Sequence, residues 1–348
     1  MKFLRSLCLA ACSLLALPLE AETLLVGNKA EASVSLIDLA SGREVARAST
    51  APGPHEIAVS GDGKLAVVTN YGAEEPGNSL TIIEVEQGKA VASIDLGEYT
   101  RPHGIVFMPG NRRVLVTAEG ARALLVVDVW NGVVEKAIPT GQDTSHMLAY
   151  DPSGKRAFVA NIGSGSVSLI NVAGGELLAF RRSGAGAEGI ALSADGRDLW
   201  VTNRADDSVT LFDARNLDTR SSVAVPGFPI RAEVMPPEAG GLVLVTSARS
   251  AELSIIDPDS AELLRTVPIS LQQSGGTILG EQMAGSSVPI GIEIAPAGDR
   301  VWIAHAAADA IQELNPADWS QTRMLATGDE PDAMAYSPLS VKTFVQPQ

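Results

Sequence analysis

The sequence predicts an all-β fold in which short antiparallel strands repeat around a closed ring, and three observations predict it. One strand-and-turn pattern recurs seven times, helical hydrophobic periodicity is nearly absent, and the last copy is cut short where the start of the chain supplies the missing strands. The clearest copy opens with Gly53-Pro54-His55-Glu56-Ile57-Ala58-Val59-Ser60-Gly61-Asp62-Gly63-Lys64. It continues as Leu65-Ala66-Val67-Val68-Thr69-Asn70 and Ser79-Leu80-Thr81-Ile82-Ile83-Glu84-Val85. The same order returns from Glu188 to Arg197, then Leu199-Trp200-Val201-Thr202-Asn203, then Ser208 to Asp213.

With the first aliphatic position of each copy as a marker, the copies fall at Ile57, Ile105, Leu148, Ile190, Ala232, Ile292 and Met334, spaced 48, 43, 42, 42, 60 and 42. A period near 42 holding three or four β-branched runs between Asp-Gly, Pro-Ser-Gly and Ala-Gly turns marks a propeller blade. Each blade is read as strand A (57–60), a turn at Asp62-Gly63, strand B (65–70), strand C (80–85) and strand D (90–96). The last copy stops after strand A at 333–337, while 24–28, 33–38 and 43–48 at the other end read as strands B, C and D. A seven-bladed β-propeller of four-stranded antiparallel blades follows, closed by pairing the N- and C-terminal segments in one composite blade. Closure of this kind removes the open sheet edges that make repetitive β-proteins aggregate.

Val67-Val68-Thr69-Asn70, Phe158-Val159-Ala160-Asn161 and Trp200-Val201-Thr202-Asn203 carry a resemblance to the YVTN-family β-propellers, and the chain resembles the periplasmic YncE-like group over nearly its whole length beyond the leader. Three copies depart at the terminal Asn, ending Thr117-Ala118, Thr246-Ser247 and Ala304-His305. The resemblance implies a fold. Such propellers include hydrolases, cofactor-pathway proteins and plain binding platforms, so it names no single activity.

Residues 1–21 are expected to be a secretory signal peptide, leaving 22–348 as a single propeller domain. Lys2 and Arg5 precede an apolar run over 7–17, Pro18 breaks it, and Ala21 offers a small residue at the cut. The run is too short to span a bilayer, and no later stretch reaches the roughly 20 apolar residues that a transmembrane helix needs. Leu9-Ala10-Ala11-Cys12 matches a lipoprotein box, yet the apolar stretch continues past Cys12, so anchoring there is not expected. Removing the leader takes the formal charge from −15 to −16 and removes both cysteines. A thiol-free chain suits an oxidising compartment, and a periplasmic or secreted location is expected.

The full chain of 348 residues is 45% apolar and 19% charged, with 26 Lys and Arg against 41 Asp and Glu, which excludes a disordered or collagenous protein and argues against nucleic acid as a partner. No C-x-x-C-H haem attachment, Walker loop, H-E-x-x-H or G-x-S-x-G is present. Gly184-Ala185-Gly186-Ala187-Glu188-Gly189 fits G-x-G-x-x-G, but it precedes a strand instead of opening a helix, so no dinucleotide is expected. Trp200 and Trp302 read as core on B strands.

In a propeller, the start of strand A and the end of strand B share one rim of the central channel. Two residues before each marker stand His55, His103, His146, Glu188, Ile230, Ile290 and Asp332. Three of the four histidines thus occupy one position in consecutive blades, a carboxylate follows in the fourth, and His305 ends strand B of the sixth. Two readings stand side by side. In one, His55, His103, His146 and Glu188 converge on a Zn, Cu or Fe ion; in the other, each histidine is a turn residue bonded to backbone. Glu56 reads as a solvated loop carboxylate, or otherwise as an outer partner of His55. Tyr71, Glu119, Arg204 and Arg249 follow B strands, and Arg101 and Arg231 enter A strands, so with His305 and Asp332 they form a candidate ligand-binding rim suited to a carboxylate or phosphate, unless the arginines pair with neighbouring acids.

The interval of 60 marks an insertion, 270–287, with Gly275-Gly276 and Gly285 as hinges of a lid or docking loop, and 72–78 is a smaller expansion on the same side. The expected function is a monomeric, exported, non-catalytic propeller that binds a small ligand, metal or periplasmic protein at its rim, accessory to redox or cofactor systems. The alternative is a metal-dependent oxidoreductase or lyase, or a lactonase-like hydrolase, using the His and Glu cluster.

Overall fold

A computed structural model describes residues 22–151, 153–273 and 278–342; the expected leader at 1–21 and the glycines at 275–276 lie outside the described residues. Seven four-stranded antiparallel sheets form the blades of a propeller. Blade 1 comprises strands Pro54–Val59, Leu65–Gly72, Pro76–Glu84 and Lys89–Asp95, taken as A to D. The A strands of blades 2 to 6 are Pro102–Phe107, Ser145–Tyr150, Ala187–Leu192, Pro229–Val234 and Pro289–Ile294. The seventh blade is composite as expected: Thr23–Asn28 pairs with Ser33–Asp38 on one side and with the final strand Pro331–Ser337 on the other.

The alternation of the strands explains the layering. Strands B and C present buried residues along nearly their whole length, as Leu24, Leu25, Val26, Val34, Leu36 and Ile37 do in the composite blade, whereas strand D is largely exposed. The core lies between blades: Val67, Leu80 and Ile94 of blade 1 pack with Val114, Val116 and Leu125 of blade 2. Trp200 and Trp302 are fully buried, as their B-strand positions predict.

Strand A begins three residues earlier than the hydrophobic pattern suggests. In blade 1, Pro54 pairs with Asn70 and Ile57 with Val68, so His55 and Glu56 together oppose the single residue Thr69. A register shift of this kind recurs in the first half of strand A in all seven blades. Such a bulge leaves the extra residue's amide without a ladder partner and re-aims the side chains beside it.

The threonine of the Val-Thr-Asn segment supplies that partner. Thr69 Oγ1 accepts from Glu56 N at 2.9 Å and donates to the carbonyl of His103 in the next blade at 2.9 Å. Thr117 likewise accepts from Gly104 N and donates to the carbonyl of His146, and Thr202 joins Gly189 N to the carbonyl of Ile230. The terminal Asn acts inside its own blade. Asn70 Nδ2 donates to Ser79 Oγ and Thr81 Oγ1, and Asn203 Nδ2 to Ser208 and Thr210, tying strand B to strand C. His305 occupies that Asn position in blade 6, where Gln312 Oε1 lies 3.2 Å from Nε2 and Ser287 Oγ 3.0 Å from Nδ1.

Two outcomes test this reading of the repeat. Thr117→Val preserves shape but leaves Gly104 N–H and the His146 carbonyl unpaired, and urea unfolding should show a loss of about 2–4 kcal/mol. Burial lowers the pKa of His305 to about 4, with Gln312 opposing the shift. The folded state therefore resists a proton that the unfolded chain accepts below about pH 6.5, so this stability is intact above that pH and is lost as pH falls toward 4. The double variant His305→Asn/Gln312→Thr should remove up to about 2 kcal/mol of acid sensitivity between about pH 7 and about pH 5, read from urea midpoints.

Candidate functional site

The bulged starts of the A strands bring His55, His103 and His146 together at one mouth of the channel. The His55 and His103 rings lie 4.0 Å apart between centroids and the His103 and His146 rings 3.5 Å, both pairs tilted, while His55 and His146 are 6.4 Å apart. His103 is the middle ring of a stack. Close approach of blades 2 and 3 depends on Gly104, where a Cβ would meet the His146 carbonyl oxygen at 2.7 Å.

Two groups of potential metal ligands share His103: His55 with Glu56, and Glu119 with His146, the donor atoms of each group lying within 4.8 Å of one another. His103 has no exposed surface, and neither of its ring nitrogens has a hydrogen-bond partner among the described residues. Nδ1 of His55 is also buried without a hydrogen bond, although Asp332 Oδ2 stands 3.3 Å away at ion-pair distance. Burial, reinforced by nearby cations, pushes the pKa values of His55 and His103 well below the ordinary histidine range, so both rings are neutral donors of lone pairs.

His146 is held differently. Burial opposes its charge, but hydrogen bonds and charges from Glu119 at Nδ1 and Glu188 at Nε2 outweigh it and raise the pKa. Glu188 lies 3.4 Å from His146 and 2.5 Å from Arg204, belongs to neither metal-compatible group, and is lowered in pKa because His146, Arg204 and Arg231 outweigh its burial. Tyr71 donates to Glu119 at 2.7 Å and meets the His55 and His103 rings edge-on. Burial, then Glu119, raises the Tyr71 pKa and keeps the phenol protonated.

On the other side, Arg231 is bonded to Glu56 and lies 3.6 Å from Asp332. Its Nη1 is buried without a hydrogen bond. Burial raises Glu56 to about 7, with Asp332 adding to the rise and Arg231 countering part of it. Lys29 completes this side, 3.9 Å from Asp332 and 3.7 Å from Glu330.

The remaining rim residues fall outside the cluster. Arg101 covers the Tyr71 ring at 4.7 Å and donates to the carbonyls of Ala73 and Glu74, bracing the tip of a hairpin formed by the prolonged strands B and C of blade 1. The expansion at 72–78 is therefore a β-hairpin. Exposed Arg249 pairs with half-buried Asp207 at 2.9 Å. His305 lies inside its blade and does not join the other histidines.

Two participants had weak sequence signals. Counting side chains by strict alternation puts Glu56 in a loop, and only the bulge turns it to the channel beside His55. Lys29 follows strand B of the composite blade, the position that Tyr71, Glu119 and Arg204 hold in theirs, and aligning the N-terminal strands to the repeat exposes it.

The insertion covers the mouth from the side of blades 5 and 6. Met283 and Val288 pack with Phe228, Ile230, Ile290 and Ala306, and Ile278 joins them. Ile278 and Leu279 enclose a cavity of about 90 Å³ with His55, His146, Glu188, Arg204, Arg231 and Asp332. Ile230 and Ile290, which stand where other blades carry His or acid, are thus the apolar seat of the insertion.

No protein-family model matches the sequence. No curated protein matches it. Among solved structures, the chain is similar to dihydro-heme d1 dehydrogenase NirN in complex with DHE, with 13% identity and a TM-score of 0.64 over 92% of this chain and 76% of that one. It is similar also to a functionally unknown protein from Desulfotomaculum acetoxidans DSM 771, with 13% identity and a TM-score of 0.74 over 92% of this chain and 100% of that one. At that identity the likeness is one of fold.

The carboxylates around His146 set a measurable property. In chelator-treated protein, Glu119→Gln removes a charge and an ionic acceptor, so the His146 midpoint followed by imidazole NMR should move down in pH; an unmoved midpoint would show that Glu119 does not hold the proton.

Proposed function

We propose that this chain is an exported propeller whose channel mouth holds a divalent transition metal, Zn, Cu or Fe, and offers it to a small ligand or a periplasmic protein. The metal would sit on His103 with His55 and Glu56, or with His146 and Glu119, and Arg204, Arg231 and Lys29 would orient an anionic ligand beside it. His103 carries this reading. A neutral imidazole sealed from water with both nitrogens unbonded forfeits about 1–3 kcal/mol for each unsatisfied atom. A metal ion would take a lone pair left vacant there, and neutral imidazoles with a carboxylate are the usual donor set for these metals. Loading through His146 would release the proton that it holds between Glu119 and Glu188.

The space beside His55 and His146, next to the proposed ion, suits one or two small ligands better than a macrocycle. The cavity of about 90 Å³ is well below the roughly 300–1,000 Å³ of pockets that hold organic cofactors. For that reason the haem chemistry in the name of dihydro-heme d1 dehydrogenase NirN is not carried over to this chain. A second reading, a metal-dependent oxidoreductase, lyase or hydrolase, is favoured by the contacts that run from Tyr71 through Glu119 to His146 and Glu188, in which His146 would give or take a proton at a bound substrate while Arg204 holds Glu188 by charge.

Elemental analysis of protein isolated from the periplasm tests the proposal. Near-stoichiometric Zn, Cu or Fe is expected in the wild type and should be lost in His103→Ala with a fall in thermal midpoint. A metal-free wild type with unchanged stability in the variant would overturn it.

A further inference from the structure

The opposite mouth of the channel has its own chemistry. A cavity of about 570 Å³ opens there, walled by Phe107, Met108, Tyr150, Met334 and Tyr336, with the carboxyl of Glu293 in its lining. The volume falls within the roughly 300–1,000 Å³ typical of small-molecule sites. The hydrogen-bonding groups around it are mostly committed. Tyr150 donates its hydroxyl to Gly154 O, Tyr336 donates its own to Glu22, and Asp151 is ion-paired with Arg156 at 2.6 Å.

Glu293 is the exception. One of its oxygens accepts from Tyr336 N at 3.1 Å, and among the described residues the other has no hydrogen bond and the carboxyl no ion pair. Glu233, the same position of strand A in the neighbouring blade, also has no hydrogen-bond or ion-pair partner among the described residues. Burial raises both, Glu233 to about 7 and Glu293 to about 8, with Glu233 adding to the rise at Glu293. The cation that acts on Glu233 is Arg231, already engaged by Glu56 and Asp332. No basic side chain lines the cavity. An anionic ligand would therefore meet the carboxyls of Asp151 and Glu293 with no cation in the lining to offset them, and a purely apolar one would leave the Glu293 carboxyl unpaired.

We infer that this cavity is a second binding site, distinct from the histidine cluster, for a small organic cation: a primary ammonium carried on a short apolar or aromatic body. The ammonium would donate to the free oxygen of Glu293, while the body would pack against Phe107, Met334 and the aromatic walls, where a cation is further favoured. The formal charge of −15 raises the local concentration of any such cation.

Calorimetric titration of the full chain with phenethylammonium, at mildly alkaline pH where the carboxyl is ionised, tests the inference. Saturable binding is expected; 2-phenylethanol should bind at least about tenfold more weakly, 3-phenylpropionate should not bind, and Glu293→Gln should weaken the ammonium about tenfold or more. Ala58→Leu, which narrows the cavity at its lining, should weaken binding, and His103→Ala should leave it unchanged. No saturable heat up to the low millimolar range, equal binding of the alcohol, or unchanged affinity in Glu293→Gln or Ala58→Leu would overturn the inference. A loss confined to His103→Ala would assign the heat to the other mouth and overturn it as well.

Discussion

The threonine that clasps the strand-A bulge in blades 1, 2 and 4 is the constraint on which the channel mouth depends. A bulge on an inner strand releases a backbone amide in a place with little access to water, where an unpaired group costs about as much as a lost hydrogen bond. Thr69 and Thr117 take that amide and spend their own protons on the carbonyls of His103 and His146 in the next blade. One hydroxyl therefore fixes the bulge that turns Glu56 inward and the backbone that carries the next histidine. Where Ala160, Ala304 and Gly27 replace threonine, this particular clasp is missing. The positions of His55, His103 and His146 relative to one another are consequences of a repeat that serves the scaffold.

The charges gathered at that mouth nearly balance. Glu56, Glu119, Glu188 and Asp332 face Lys29, Arg204, Arg231 and a protonated His146. Buried ion pairs of this kind contribute little net stability, because desolvation consumes most of their attraction, but removing one member leaves an expensive uncompensated charge. The arrangement thus locks its members in place. His103 stands at the centre and takes no part in the balance, which separates a side chain without a hydrogen-bond partner from the charged frame around it. A metal entering at His103 would have to compete for Glu56 or Glu119 with the cations they now hold, and selectivity for metals with high affinity for imidazole would follow.

Much of this was legible in the sequence because a period near 42 places equivalent residues without any knowledge of geometry. The ring, its composite closure and the alignment of His55, His103, His146 and Glu188 all came from counting. What counting could not reach were departures from strict alternation. Glu56 read as a loop residue because two residues oppose one at the bulge, and the entry of strand A at Pro54 was hidden for the same reason. His305 shares a position in the repeat with Asn70, Asn161 and Asn203, and its role is theirs: it ties strands within a blade. A histidine aligned with asparagines is a structural residue, and a histidine aligned with histidines is a different case. The departure of Ala304-His305 from the repeat's terminal Asn already held that distinction.

Sevenfold repetition makes the blades equivalent, so function must come from breaking the equivalence, and this chain breaks it twice along one axis. At one mouth, blades 1 to 4 carry His and Glu while blades 5 and 6 carry Ile230 and Ile290, and the insertion between those two blades packs on the isoleucines and closes over the polar half. Further down the channel the pattern reverses: blades 5 and 6 carry Glu233 and Glu293, where the other five present Ala58, Val106, Ala149, Ala191 and Ala335. The same two strands are apolar where the channel is closed and acidic where it is open. Because successive channel-facing positions on one strand are set independently by the sequence, a single pair of blades can seat a cover at one end and carry carboxyls toward the other. The polar closed end and the apolar, acid-lined open end are then two products of one local departure from symmetry.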